Sequence, residues 1–214
     1  MAPARLYAII DVEFCESRGL DVLDFAREVC AARPACIQLR AKHSTPSDTL
    51  ELLRSLIALA RPHEIQLYAN DRPDLALLAG ADGVHVGQND LPVSLVRKSA
   101  PNLRVGVSTH NESQLSEALE LRPDYVAIGP IYSTLTKQDA EPSIGIDGLV
   151  LAAQLARAAR IPLVAIGGID HSRARQVAAH ADLIAVISAL LPPSGRLQDV
   201  RAHVEEFIAN LDPS

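Results

Sequence analysis

The 214-residue chain contains no run of about 18 apolar residues, the length that a membrane-crossing helix needs. It has no surplus of positive charge either. Twenty Lys and Arg stand against 26 Asp and Glu, for a net charge of −6 and a pI near 5.6. That balance argues against nucleic acid as the main partner, because a phosphate backbone calls for a basic face. Cysteine is scarce: Cys15, Cys30 and Cys36 are odd in number and match no metal-ligand spacing. They read as structural thiols of a reducing, cytoplasmic setting. No linker, charge block or low-complexity tract divides the chain, so residues 1–214 read as a single domain. The amino terminus, "MAPARLYAIIDVEF", lacks a cleavage pattern, and Asp11 and Glu13 end its apolar run at once. It reads as a first strand and not as a signal peptide.

What is present is a regular alternation. Hydrophobic residues make up 48% of the chain, enough for one sizeable core. Eight short apolar runs predict strands: "LYAII" at 6–10, "CIQL" at 36–39, "IQLYA" at 65–69, "GVHVG" at 83–87, "RVGVS" at 104–108, "YVAIG" at 125–129, "PLVAIG" at 162–167 and "DLIAVIS" at 182–188. Helical spacing falls between them. In 46–61 the stripe is Leu50, Leu53, Ile57 and Ala60, preceded by Thr45, Pro46 and Asp48, where a cap, a first-turn proline and a first-turn carboxylate belong. The segments 111–121, 147–159 and 196–210 carry comparable stripes. About eight strand–helix units in one domain of this length predict a (β/α)8 TIM barrel, with a doubly wound open sheet as the rival. Strands that are apolar nearly throughout fit a sheet covered on both faces.

In such a barrel the site is built where the strands end. After the second strand come Gln38, Arg40 and Lys42, the first two on one side by alternation. They read either as a core ion pair with a solvated lysine or as a cationic cradle for a phosphate or pyrophosphate. Asn70 and Asp71 follow the third strand; Gly87, Gln88 and Asp90 follow the fourth, which contains His85. Asp71 and Asp90 read as helix caps singly and as a Mg²⁺ pair beside the basic cradle. His85 is equally a core-edge histidine or a substrate contact. Ser108, Thr109 and His110 after the fifth strand read as caps of the next helix, and the strand ends offer no convincing Ser–His pair. After the sixth strand, "GPIYSTLTKQD" gathers Ser133, Thr134, Thr136 and Lys137. Gly167 and Gly168 follow the seventh strand, and Ile187 and Ser188 close the eighth. That pair of loops matches the phosphate site usual for this fold. Two anion sites result, with the loop carrying Lys137 between them.

The segments "QLRAK", "AND", "GVHVGQND", "GVSTH", "GPIYSTLTK", "AIGGI" and "VISAL", in this order along nearly the whole chain, resemble the thiamine-phosphate synthase family. The resemblance implies a Mg²⁺-assisted joining of a hydroxymethylpyrimidine pyrophosphate to a thiazole phosphate, releasing pyrophosphate. It implies that Gln38, Arg40, Lys42, Asn70 and Lys137 hold the pyrophosphate side, with Arg40, Lys42 and Lys137 catalytic. Ser108 would touch the pyrimidine, with His85 near its ring. Thr134, Thr136, Gly168, Ile187 and Ser188 would hold the thiazole phosphate, and Asp71 and Asp90 the metal. Ser133 stands where the family often has proline, and Ala41 and Asn89 where acidic residues are frequent. Two other readings share the fold: a thiazole tautomerase-like isomerase, which lacks much of this pyrophosphate and Mg²⁺ set, and a barrel that binds thiamine phosphate without turnover. The partners expected are two phosphorylated small molecules, without nucleic acid or membrane, and a homo-oligomer is compatible with the sequence.

Overall fold

A computed structural model describes residues 4–133 and 142–211. Eight parallel strands close into a barrel in chain order: β1 (Leu6–Asp11), β2 (Cys36–Arg40), β3 (Gln66–Asn70), β4 (Gly83–Val86), β5 (Arg104–Thr109), β6 (Tyr125–Ile128), β7 (Leu163–Ile166) and β8 (Leu183–Val186). Each lies within a residue or two of its expected place. The helices are α1 (Val12–Ser17), α2 (Val22–Ala31), α3 (Pro46–Ala60), α4 (Pro73–Ala79), α5 (Val93–Ser99), α6 (Glu112–Glu120), α7 (Gly145–Ala159), α8 (His171–Ala178) and α9 (Val200–Leu211). Among the described residues no helix is long and apolar enough to cross a membrane.

Local chemistry sets the helix starts. Thr45 accepts from the Asp48 amide and Asn111 from the Gln114 amide. Asp21 and Asp170 each accept two amides at the starts of α2 and α8. Each bond satisfies a donor that the first helical turn leaves orphaned. The five helices outside the apolar stripes at 46–61, 111–121, 147–159 and 196–210 are α1, α2, α4, α5 and α8. Four of these have six to eight residues, about two turns, too short for a 3.6-residue period to declare itself.

Strand alternation divides the apolar side chains into two sets. One fills the space between the sheet and the helices. The other, which includes Tyr7, Ile9, Cys36, Tyr68, Tyr125, Ala127, Val164 and Ala185, fills the barrel interior. Three of the chain's four tyrosines are thus on the axis. Their ring centroids are 5.5–5.9 Å apart, tilted or edge-to-face, the arrangement that aromatic quadrupoles favour. Gly83 and Gly106 make room for them. A Cβ on Gly83 would sit 2.5 Å from the Tyr68 ring, and one on Gly106 1.9 Å from the Tyr125 ring. All three cysteines are buried free thiols. Burial pushes the Cys15 thiol up to about 12 and the Cys30 thiol to about 11, so both stay protonated and unreactive at neutral pH.

The same alternation positions the site. Counting in twos from the axial residues Tyr7, Cys36 and Tyr68 reaches Asp11 on β1, Gln38 and Arg40 on β2, and Asn70 on β3. It reaches His85 on β4, Ser108 on β5, Gly168 after β7 and Ile187 after β8. Several of the candidate residues among those described thus take inward positions at the C-terminal rim.

Candidate active site

The first cluster spans the ends of β1 to β4. Asp11 and Arg40 are direct ladder partners, and their side chains form an ion pair with Asp11 3% exposed. Glu13, at the start of α1, lies 3.8 Å from the same guanidinium, and its Oε1 accepts from the His43 amide at 2.8 Å. Glu13 Oε2 is buried without a hydrogen-bond partner. Arg40 is thus a paired cation held at a fixed height, as the ion-pair alternative required, and its free face is what remains for an anion. Asp11 and Glu13 escaped the sequence reading because they close the first strand and open α1, outside any recognisable loop motif. The alternation from Tyr7 through Ile9 was the signal that could have found Asp11.

Lys42, expected as a solvated or cradle lysine, reaches Asp71 at 2.9 Å. Asp71 occupies the left-handed region at φ 61°, which aspartate tolerates better than most residues. Asp90 accepts the Gly87 amide at 2.7 Å. Neither aspartate caps a helix: the N-cap positions are Arg72 for α4 and Pro92 for α5, and neither gives a side-chain cap. The two carboxyls lie within reach of each other. Burial, with Asp71 beside it, raises the Asp90 carboxyl above the usual carboxylate range, against the pull of the Gly87 amide and Lys42. Four carboxylates (Asp11, Glu13, Asp71 and Asp90) thus face two cations, Arg40 and Lys42. This hard-oxygen excess suits a divalent cation.

Deeper in the mouth, Gln38 is 3% exposed and fully engaged. Its Oε1 accepts from the Tyr7 hydroxyl at 2.7 Å, and its Nε2 donates to Asn70 Oδ1 at 3.0 Å. Asn70, half-buried, is therefore more open to the mouth than Gln38. His85 is a buried, bonded histidine, 9% exposed, and its Nε2 lies 2.7 Å from Ser108 Oγ. A close Ser–His pair is thus present where the sequence showed none, because the partners lie on neighbouring strands 23 residues apart. Ser108 does not cap α6, and neither do its neighbours. Thr109 donates to the Ala127 carbonyl, and His110 Nδ1 lies 2.6 Å from the Gly129 carbonyl.

The second cluster is on the far rim. Gly168 has φ 64°, and a Cβ there would meet Tyr132 and Ser133 backbone at 2.7–2.8 Å, so only glycine fits. Arg173 donates to its carbonyl at 2.7 Å and covers the Tyr132 ring at 4.5 Å. Ser188 opens a short 3-10 turn and is exposed, with Ile187 half-buried before it. Thr134, Thr136 and Lys137 lie outside the described residues. A cavity lined by Ile57, Arg61, Glu64, Gln66 and Asp82 sits at the opposite end of the barrel, where β3 and β4 begin.

Behind the Ser188 turn, His203 Nε2 lies 3.1 Å from the Ala189 carbonyl and 3.0 Å from His171 Nε2. The one proton that satisfies both contacts sits on His203, so His171 presents a lone pair. A second proton, on His171, would oppose the first. Burial and the neighbouring His203 lower the His171 pKa, against Glu206 and Asp170. A lowered histidine pKa contributes stability that is present above the unfolded value, about 6.5, and is lost as pH falls through it. The melting temperature is expected to drop between about pH 7.5 and about pH 5.5. His171→Gln should flatten that drop, and an unchanged slope in thermal melts would remove His171 from the account.

Comparison with known proteins shows the family and the fold. The family model described as thiamine monophosphate synthase matches residues 6–190. A thiamine-phosphate synthase of Chloroflexus aurantiacus is 42% identical over 188 residues, 87% of this chain and 85% of the relative. One from Koribacter versatilis is 41% identical over 208 residues, 95% and 94% of the two chains. Among solved structures, a thiamine phosphate pyrophosphorylase from Pyrococcus furiosus superposes with a TM-score of 0.83 at 31% identity, covering 97% of this chain and 95% of the other.

Proposed function

We infer the chemistry of this rim from the premise that the chain belongs to the thiamine monophosphate synthase family. It is a transferase of thiamine synthesis, acting on small molecules. The observation that carries the assignment of the two ends is the pairing of unlike clusters. A charged, carboxylate-rich rim at β1–β4 faces a glycine and serine rim at β7–β8. The first suits a pyrophosphate with its counter-ion, the second a phosphate monoester bound by backbone and hydroxyl donors.

Asp71 and Asp90 would hold Mg²⁺, and their hard oxygens, in excess over Lys42, fit it. When bound, the ion supplies positive charge against a leaving pyrophosphate. Arg40, fixed by Asp11, and Lys42 orient the pyrophosphate, and Asn70 offers its amide from the rim. The C–O bond to the pyrimidinylmethyl carbon breaks, and its electron pair departs with the pyrophosphate. The aminopyrimidine ring carries the positive charge left behind. The thiazole nitrogen, placed by its phosphate at Gly168, Ile187 and Ser188, then donates its lone pair to form the C–N bond. Positioning and electrostatics supply the catalysis, and no protein nucleophile is needed. The family resemblance adds Lys137, Thr134 and Thr136 to these two ends.

The test is an assay of the purified protein with both substrates, reading thiamine phosphate by fluorescence after oxidation. One pyrophosphate per thiamine phosphate is expected, and no product from either substrate alone. Isomerisation of a thiazole phosphate without the pyrimidine substrate would favour a tautomerase instead. Ser188→Ala should raise KM for the thiazole phosphate roughly tenfold, the loss of one hydrogen bond to a charged group, with KM for the pyrimidine pyrophosphate nearly unchanged. An effect confined to the pyrimidine side would mean the two phosphates have been placed at the wrong ends.

A further inference from the structure

Six side chains form one hydrogen-bonded chain through the barrel interior. Ser108 Oγ is 2.7 Å from His85 Nε2, and His85 Nδ1 is 2.9 Å from the Tyr125 hydroxyl. Tyr125 is 2.8 Å from Tyr7, Tyr7 donates to Gln38 Oε1 at 2.7 Å, and Gln38 Nε2 donates to Asn70 Oδ1 at 3.0 Å. The four middle residues are buried, whereas Ser108 and Asn70, on β5 and β3, are partly open to the mouth. The chain starts at the rim, dips into the barrel and returns to the rim on the other side of β4.

A phenol has one proton, and a neutral imidazole has one N–H. The direction of one link therefore fixes all the others. At Asn70 the oxygen faces Gln38, so its NH₂ group faces outward, the orientation an anion at that rim requires. Gln38 must then give its NH₂ to Asn70 and its oxygen to Tyr7. Tyr7 donates to Gln38 and so accepts from Tyr125. Tyr125 donates to Tyr7 and so accepts from His85. His85 is then the Nδ1–H tautomer with a lone pair on Nε2, and Ser108 donates to it. Burial raises the Tyr7 and Tyr125 phenols well above their usual value, so neither proton is lost at neutral pH.

Ser108 therefore has its proton turned inward and shows only lone pairs to a ligand. We propose that this fixed polarity makes Ser108 an acceptor that selects a ring carrying an exocyclic amino group and rejects the corresponding oxo ring. In this proposal Gln38, Tyr7, Tyr125 and His85 are positioning residues that carry the polarity set at the anion end to the ring end. The proposal rests on the reading above, in which an aminopyrimidine pyrophosphate binds at β1–β5. An oxo ring would set its carbonyl lone pairs against those of Ser108 and leave both unpaired. Sites built to bond one polar group reject an analogue that cannot pair there far more strongly than apolar pockets reject a size change.

The experiment has two readouts. The first needs no substrate. Nitrogen NMR of histidine-labelled protein at mildly alkaline pH should show His85 protonated at Nδ1 and bare at Nε2, assigned by the signal lost in His85→Gln. Tyr125→Phe keeps the ring's shape and removes the acceptor of that N–H, so His85 should shift toward the Nε2–H form. The second readout is competition between the amino- and oxo-pyrimidine pyrophosphates. The wild type should prefer the amino form by at least about 100-fold, and Tyr125→Phe should reduce that preference to about tenfold or less. Gln38→Glu discriminates further. A carboxylate still accepts from Tyr7, so the tautomer and the preference should survive, while Asn70 turns its NH₂ inward and binding of inorganic pyrophosphate weakens. A wild-type His85 protonated at Nε2 would overturn the proposal, as would a Tyr125→Phe protein with unchanged tautomer and preference. If neither pyrimidine pyrophosphate binds, the substrate reading fails and the selectivity claim with it, whereas the tautomer still reports the polarity of the chain.

Discussion

Asp90→Asn is expected to lower kcat/KM about 100-fold or more while leaving the melting temperature of the metal-free protein unchanged or higher. The two effects have opposite signs for one reason. Asp90 sits half-buried beside Asp71, and both burial and that neighbour penalise its charge. An amide of the same shape still accepts the Gly87 amide and removes the like-charge contact, so the folded state loses nothing and can gain. Function moves the other way, because the charge that is penalised beside Asp71 is the charge that would hold Mg²⁺. Asp71→Asn should lose activity similarly, yet it also strips Lys42 of its partner at 2.9 Å, so its melting temperature should not rise. EDTA should abolish wild-type turnover and Mg²⁺ should restore it. Full activity in metal-free buffer, or an Asp90→Asn protein that is both unstable and inactive, would remove the metal from this rim.

Gly106→Ala should destabilise the barrel by about 3 kcal/mol, the upper end for overpacking. For a chain of this size that is a fall of roughly 6–12 °C in melting temperature. The added Cβ would lie 1.9 Å from the Tyr125 ring and 2.3 Å from its hydroxyl. Tyr125 packs edge-on against Tyr7 and Tyr68, so the ring has no free direction in which to yield. Combining Gly106→Ala with Tyr125→Leu should lose less than the sum of the two single changes, because the clash needs both partners. A single Gly106→Ala protein melting within about 2 °C of wild type would show that the axial layer is looser than its packing implies.

The amino-acid sequence by itself determined the architecture and many of the candidate rim residues, though not Asp11 or Glu13. Eight β-branched runs of four to six residues, apolar on both faces, admit few folds, and a closed parallel barrel is one. Once the barrel is given, strand periodicity places Gln38, Arg40, Asn70, His85, Ser108 and Ile187 at the rim without any coordinates. Lys137, Thr134 and Thr136 rest on that reading and on the family alone. Only the tertiary structure decided how these residues are paired. Arg40 meets Asp11 across the β1–β2 ladder, and Lys42 meets Asp71 just past the paired ends of β2 and β3. His85 meets Ser108 because β4 and β5 run side by side in parallel, with His85 opposite Gly106 and Ser108 the next inward position along β5. Tyr7 and Tyr125 are 118 residues apart and touch only through the closed barrel. A one-dimensional pattern carries the face a side chain takes, since that follows from the backbone's period of two. It does not carry the partner across the axis, which depends on how the whole sheet closes.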